Sequence, residues 1–250
     1  MKKILSVILA SLMVLSLFAC GNNQSSQNGQ KVKKLIMCTN ATFPPYEYKD
    51  GNEFKGIDVE VAKIIGEKLG CEVEILDIEF DALIPAVMSG KADFAMAGMT
   101  VTEDRKQNIN FSETYQKAVQ AIIVPDDSPI KTIDDMNGKK VGVQSGTTGD
   151  IYCSGDFGEE NVVRYSKIPD AMLALKTKKI DVVVVDDQVA KTLVETNGEG
   201  YKILDTPYAE EEYAIGINKN NTELLNNINQ VIKEIKSNGQ LKTIVDKYIN

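Results

Sequence analysis

The chain contains no histidine. That removes the commonest transition-metal ligand and every Ser-His or Cys-His nucleophile pairing. No CxxC spacing links its four cysteines. Cys38, Cys71 and Cys153 read as small buried apolar residues, and an odd number leaves at least one thiol unpaired in a monomer. Neither a metal nor a cofactor is expected. Basic residues are outnumbered 28 to 36, for a net charge of −8, and form no basic block. Nucleic-acid binding, which needs clustered Lys and Arg against phosphate, is excluded as an expectation. Only two arginines occur, Arg105 and Arg164, and after the N-terminus no apolar run is long enough to span a membrane.

The N-terminus has a different composition. Met1, Lys2 and Lys3 precede an almost wholly apolar stretch from Ile4 to Phe18, then Ala19, Cys20 and a polar tract. Positive, apolar, small residue, cleavage is the order of a secretory signal, and the run is shorter than the ~18–20 residues a spanning helix needs. Leu17-Phe18-Ala19-Cys20 resembles a bacterial lipobox, with bulky Phe18 as a departure. The resemblance implies a signal peptide over 1–19, lipid on Cys20 and membrane attachment through it. Residues 20–33, rich in Asn, Gln, Ser and Gly, bury too little apolar surface to offset ordering entropy and read as a flexible tether.

From Lys34 onward, short apolar strands alternate with helix-period segments. Leu35 to Cys38, Val73 to Ile78, Val141 to Val143 and Val182 to Val185 read as strands. Val61, Ile64, Ile65 and Leu69 mark one helix face, and Leu224, Leu225, Ile228, Val231, Ile232 and Ile235 another. The alternation predicts an α/β fold with mostly parallel strands. Two such units predict two lobes, 34–114 with 214–250 and 120–208. Ala118 to Val124 and Tyr213 to Ile217 read as the crossings, with hinges at 115–119 and 209–213. Ligands of open α/β sheets sit at the carboxyl ends of strands, which directs attention to the residues after each strand.

Four such stretches carry chemistry. Asn40 to Tyr48 contains a proline pair that stiffens the loop around Phe43, which otherwise reads as a plug over the core. Ala97, Gly98 and Thr100 lead to Thr102 and Arg105; glycine permits close backbone approach, and arginine matches a carboxylate in bidentate fashion. An exposed ion pair of Arg105 with Glu103 or Asp104 is the alternative. Gln144 to Gly149 opens a helix whose free N–H groups attract anions. Asp186 ends a strand and either receives an ammonium or caps the following helix. A guanidinium fork, a helix N-terminus, apolar side chains and a carboxylate together suit a free α-amino acid.

At these residues the sequence resembles the polar-amino-acid family of extracellular solute-binding proteins, which have the two-lobed type II periplasmic-binding fold. Gly56-Ile57-Asp58-Val59-Glu60-Val61 and Ala97-Gly98-Met99-Thr100 with Thr102 and Arg105 carry the resemblance, which covers nearly all of 34–250. It implies that Arg105 clamps a ligand carboxylate with Thr100 and the Thr148 amide. It also implies that Asp186 takes the ammonium with the Gly98 carbonyl, beside Ala97. Phe43 and Phe80 would sandwich the side chain, and Gln144 and Thr147 line the second lobe. Asn40 stands where glutamine and basic-amino-acid binders carry an aspartate, and Val185 where some members are polar. The expected ligand is therefore a polar amino acid, neutral in preference to basic, although Glu210, Glu211 and Glu212 leave a cation open. The implied role is a monomeric extracytoplasmic receptor of an ABC importer. A dehydratase-type enzyme on the same fold, or an extracellular sensing or adhesion protein, is the alternative. Without histidine an enzyme would have to draw its acid or base from Asp186, Glu47 or cleft tyrosines, so catalysis is not expected.

Overall fold

The computed structural model describes residues 33–249; the signal segment, Cys20 and most of the tether lie outside them. The first lobe opens with β1 (Lys33–Thr39), followed by a small antiparallel sheet of β2 (Thr42–Phe43), β3 (Glu47–Asp50) and β4 (Glu53–Lys55). Helix α1 (Ile57–Leu69) buries Ile57, Val61 and Ile65. It starts at Gly56, with φ +121°, where an added Cβ would lie 2.1 Å from the Tyr46 carbonyl oxygen. Only glycine fits that turn, and the turn places Asp58 inside. Then come β5 (Cys71–Asp77), α2 (Leu83–Met88), β6 (Phe94–Ala95), α3 (Glu103–Asn108) and β7 (Ile109–Phe111).

The second lobe holds β8 (Gln116–Pro125), β9 (Val141–Gln144), α4 (Thr148–Phe157), β10 (Val162–Tyr165), α5 (Ile168–Lys176), β11 (Val182–Asp186), α6 (Asp187–Asn197), β12 (Tyr201–Ile203) and β13 (Ala209–Tyr213). The chain then returns to the first lobe as β14 (Gly216–Asn218), α7 (Thr222–Ser237) and α8 (Gln240–Tyr248). Helix α7 buries Leu224, Ile228, Val231, Ile232 and Ile235, the face its periodicity predicts, and Asn221 caps it by accepting from the Leu224 amide.

The sheets run β5-β1-β6-β14-β7 and β10-β9-β11-β8-β12, with β13 also on β8. The α/β, two-lobed class stands, but the expectation of mostly parallel strands does not. Parallel pairing is confined to β1 with β5 and β6, and β9 with β10 and β11; β8 and β14 join antiparallel. The reason is topological. A helical crossover within one lobe returns the chain parallel, whereas a strand arriving from the other lobe enters the sheet from the opposite end. The crossings themselves are short. β13 pairs with β8 from Gln116↔Tyr213 to Gln120↔Ala209, and Ser112 and Ile215 exchange hydrogen bonds beside them. Cys38 and Cys153 are buried free thiols; Cys71, at the start of an edge strand, is half-buried and free.

Candidate functional site

Four strands, β1, β6, β9 and β11, end at one narrow cleft between the lobes. Asn40, Phe43, Phe80, Ala97, Gly98, Thr100 and Arg105 line it from the first lobe, and Gln144, Thr147, Thr148 and Asp186 from the second. All eleven residues singled out in the sequence thus lie together. Glu47 is a twelfth.

Arg105 sits in the first turn of α3, whose N-cap hydroxyl, Thr102 Oγ1, accepts from the Arg105 amide at 3.2 Å. Arg105 as a whole is 7% exposed. Nη1 donates to the Thr100 carbonyl at 2.7 Å and Nη2 to the Gly146 carbonyl of the other lobe at 3.0 Å. The Phe80 ring centroid lies 5.3 Å away. The surface ion pair does not form: Glu103 binds Lys106 at 2.8 Å, and Arg105 enters no salt bridge among the described residues. Burial lowers its pKa, opposed by the charges of Glu211 and Asp186. A desolvated cation held only by carbonyls retains a strong demand for an anion. Next to it, α4 begins at Thr148, with Thr147 as N-cap accepting from the Asp150 amide, so first-turn N–H groups face the same region.

The acidic side is richer than the sequence suggested. Asp186, 6% exposed, accepts from the Tyr213 hydroxyl at 2.6 Å and makes no side-chain cap bond to α6. Burial first, then the charge of Glu211, push it up to about 7. Asp58 is fully buried, accepts from the Gly98 amide at 2.9 Å and from the Tyr115 hydroxyl at 2.8 Å, and is pushed by burial up to about 6. Glu47 is 1% exposed and its Oε2 has no hydrogen-bond partner; burial and then Asp58 raise it well above the usual carboxylate range. Glu211, buried on β13, accepts through Oε2 from Thr100 Oγ1 and Gln120 Nε2, both at 3.0 Å.

Sequence reasoning kept Glu211 open only as one of three acids that could meet a cation, named Glu47 only as a candidate acid or base, and gave Asp58 no binding role. One signal was available for Glu211. In β13 the buried positions alternate, Glu211 then Tyr213, so a period of two puts the middle glutamate on the face of a core tyrosine.

Between these poles, Gly98 holds φ +53°, and an added Cβ would lie 3.0 Å from the Phe43 ring. Asn40 Oδ1 accepts from Gln144 Nε2 at 3.0 Å across the lobes, and its Nδ2 donates to the Ile78 carbonyl at 2.8 Å.

The description "Bacterial extracellular solute-binding proteins, family 3" matches residues 35–250. The chain belongs to that family. Among its relatives, the arginine-binding extracellular protein of Bacillus subtilis is 35% identical, over 99% of this chain and 98% of its own length. The glutamine-binding protein of an ABC transporter from the same organism is 29% identical, over 100% and 98%. Among solved structures, a mutant of ArgBP from T. maritima superposes with TM-score 0.82 at 41% identity, covering 86% of this chain and 94% of that one. An arginine-, lysine-, histidine-binding protein from Geobacillus stearothermophilus gives 0.83 at 30%, covering 87% and 95%. The family resemblance and two-lobed fold read from Gly56–Val61 and Ala97–Arg105 are thereby established. These relatives are named as amino-acid-binding proteins, and the family description and the B. subtilis arginine-binding protein's name add that they are extracellular.

Proposed function

We propose that this protein is the amino-acid receptor of an ABC importer and that it prefers an α-amino acid with a cationic side chain. Arg105 and the first-turn amides of α4 hold the carboxylate. Asp186 and the Gly98 carbonyl take the ammonium. Phe43 and Phe80 flank the side chain, whose end meets Asn40, Gln144, Thr147 and Glu47. The hinges at 115–119 and 209–213 let lobes 34–114 with 214–250 and 120–208 close around it as a monomer.

The observation that carries the cationic preference is Glu47. It is a buried carboxyl in the cleft with one oxygen unpartnered. Burial and the neighbouring Asp58 favour its protonated form in the empty cleft, and a ligand cation beside it shifts it back toward the carboxylate and gains the attraction. Asn40 and Val185 pointed to a neutral side chain; Glu47 supplies the acid that Asn40 lacks. The names of the arginine-binding relatives support the same reading. An ancestral arginine-binding protein has been solved with arginine and with glutamine, so calorimetric titration of both is the test. Arginine should bind at least about tenfold, ~1.4 kcal/mol, more tightly than glutamine. Glutamine binding as tight or tighter returns the site to a neutral side chain.

Lipid attachment at Cys20 belongs to the same proposal. Membrane fractionation should find Cys20→Ala protein released and wild type retained; a retained variant removes the anchor from the proposal.

A further inference from the structure

Glu47 and Asp58 are buried carboxyls in side-chain hydrogen-bond contact with each other. Glu47 lines the cleft, and Asp58 stands behind it on α1. Two carboxylates cannot bond to one another, because each only accepts, so the contact needs one shared proton. The other partners decide where that proton sits. Asp58 already accepts from the Gly98 amide at 2.9 Å and, through both oxygens, from the Tyr115 hydroxyl at 2.8 Å. Those donors favour its carboxylate. Glu47 Oε2 is unpartnered. Glu47 therefore carries the proton and donates it to Asp58. The surroundings supply no cation to replace it. Asp186 of β11 and Asp77 of β5 add negative charge to Glu47, and Tyr46 and Tyr115 present neutral phenols. Lys49, on the same strand as Glu47, pairs with Asp77 at 2.6 Å. Arg105 turns its guanidinium to the Thr100 and Gly146 carbonyls.

We propose that the Glu47–Asp58 pair is a proton site, filled when the cleft is empty and emptied when a cationic side chain enters, so that the receptor takes up a cationic amino acid in exchange for one proton. This rests on the cationic reading above. In the exchange the Glu47 O–H bond breaks, the proton passes to a solvent base, and the ligand cation faces the carboxylate left behind. The net charge of the buried site is the same before and after, so two desolvated anions never stand side by side without a cation. A neutral side chain brings no charge to replace the proton and leaves the pair as it was. Preference for a cationic over a neutral side chain therefore rises with pH, by up to about tenfold per pH unit for one proton exchanged. Asp186 titrates against the α-ammonium that both kinds of ligand carry, so its effect cancels from that ratio.

The probes are L-arginine, whose guanidinium stays charged at every pH used, and L-citrulline, its neutral isostere. Both are titrated calorimetrically, directly or by displacement, in phosphate and in Tris near pH 7. The buffers differ in ionisation heat, so the difference in observed heat counts the protons released. Wild type should release about one proton more with arginine than with citrulline, and the arginine-to-citrulline affinity ratio should rise roughly tenfold between about pH 6.5 and 7.5. Glu47→Gln has no proton to give and should bring the two counts together. Equal counts in wild type, or an extra proton that persists in Glu47→Gln, overturn the proposal. The wild-type comparison of the two ligands decides the matter if that variant does not fold. Arginine that fails to bind overturns the cationic reading itself. Arginine that binds without the extra proton overturns only the exchange.

Discussion

The two arginines of this chain occupy opposite environments. Arg164, on the second lobe, is half-exposed, and its guanidinium meets Asp150 at 2.8 Å and Glu159 at 2.6 Å. Arg105, at the cleft, is buried and meets backbone carbonyls and an aromatic ring instead. Water and two acids already satisfy the first, and the ion pairs raise its pKa. Burial lowers the second. The difference teaches where binding energy can come from. A solvated, paired cation gains little from another anion, whereas a desolvated cation facing only neutral dipoles gains much.

The sharpest way to break that comparison is Arg105→Lys. Charge is kept while the fork across Thr100 and Gly146 is lost, so amino-acid affinity should fall by roughly 2–5 kcal/mol in calorimetry. A change under ~0.5 kcal/mol would make Arg105 as structural as Arg164. Asp186→Asn tests the opposite pole and should cost a similar amount, with the apo melting temperature read alongside to separate binding from folding.

Gly98→Ala is expected to have a smaller effect, about 1–2 kcal/mol on stability, because φ is +53° and the new methyl meets Phe43. Affinity should weaken in the same variant as Phe43 is displaced; thermal melts and titration together check this.

Acidity separates the acidic pole from both arginines. Asp186 near 7 and Asp58 near 6 hold their protons more tightly folded than unfolded. Below about pH 7 Asp186 gains a proton, so affinity for an ammonium should fall between about pH 7 and 5. Folding stability without added ligand should move the other way. The folded state binds more protons there, so these two groups make the protein more stable as pH drops from about 7 to about 4. Denaturant melts and titrations over that range should therefore slope in opposite directions. Parallel slopes would show that Asp186 does not contact the ligand.

The smallest effect is expected at the other arginine. Arg164→Ala should cost no more than about 1 kcal/mol of stability, since its pairs are partly solvated. Asp150 also accepts from the Gly146 amide at 3.0 Å, so affinity serves as the control: it should stay within about threefold of wild type.

Much of this was legible from residues alone. Helix α1 and the buried face of α7 follow from their periodicity, and Arg105 stood out because arginine is scarce in a lysine-rich chain. Each of those is a local property, written in spacing or residue type. The eleven cleft residues were legible through family resemblance, and their convergence is visible only in the fold.

The sequence by itself determined the elements, the two-lobed α/β class and the exclusion of histidine chemistry, because periodicity and composition are fixed before the chain folds. Tertiary structure alone decided strand direction at β8 and β14, the pairing state of Arg105, and the burial of Glu47, Asp58 and Glu211. A glutamate carries the same letter whether water or protein surrounds it. Its charge, proton affinity and partners depend on desolvation and on neighbours far apart in the chain, as with Thr100 and Glu211, and packing of the two lobes supplies both.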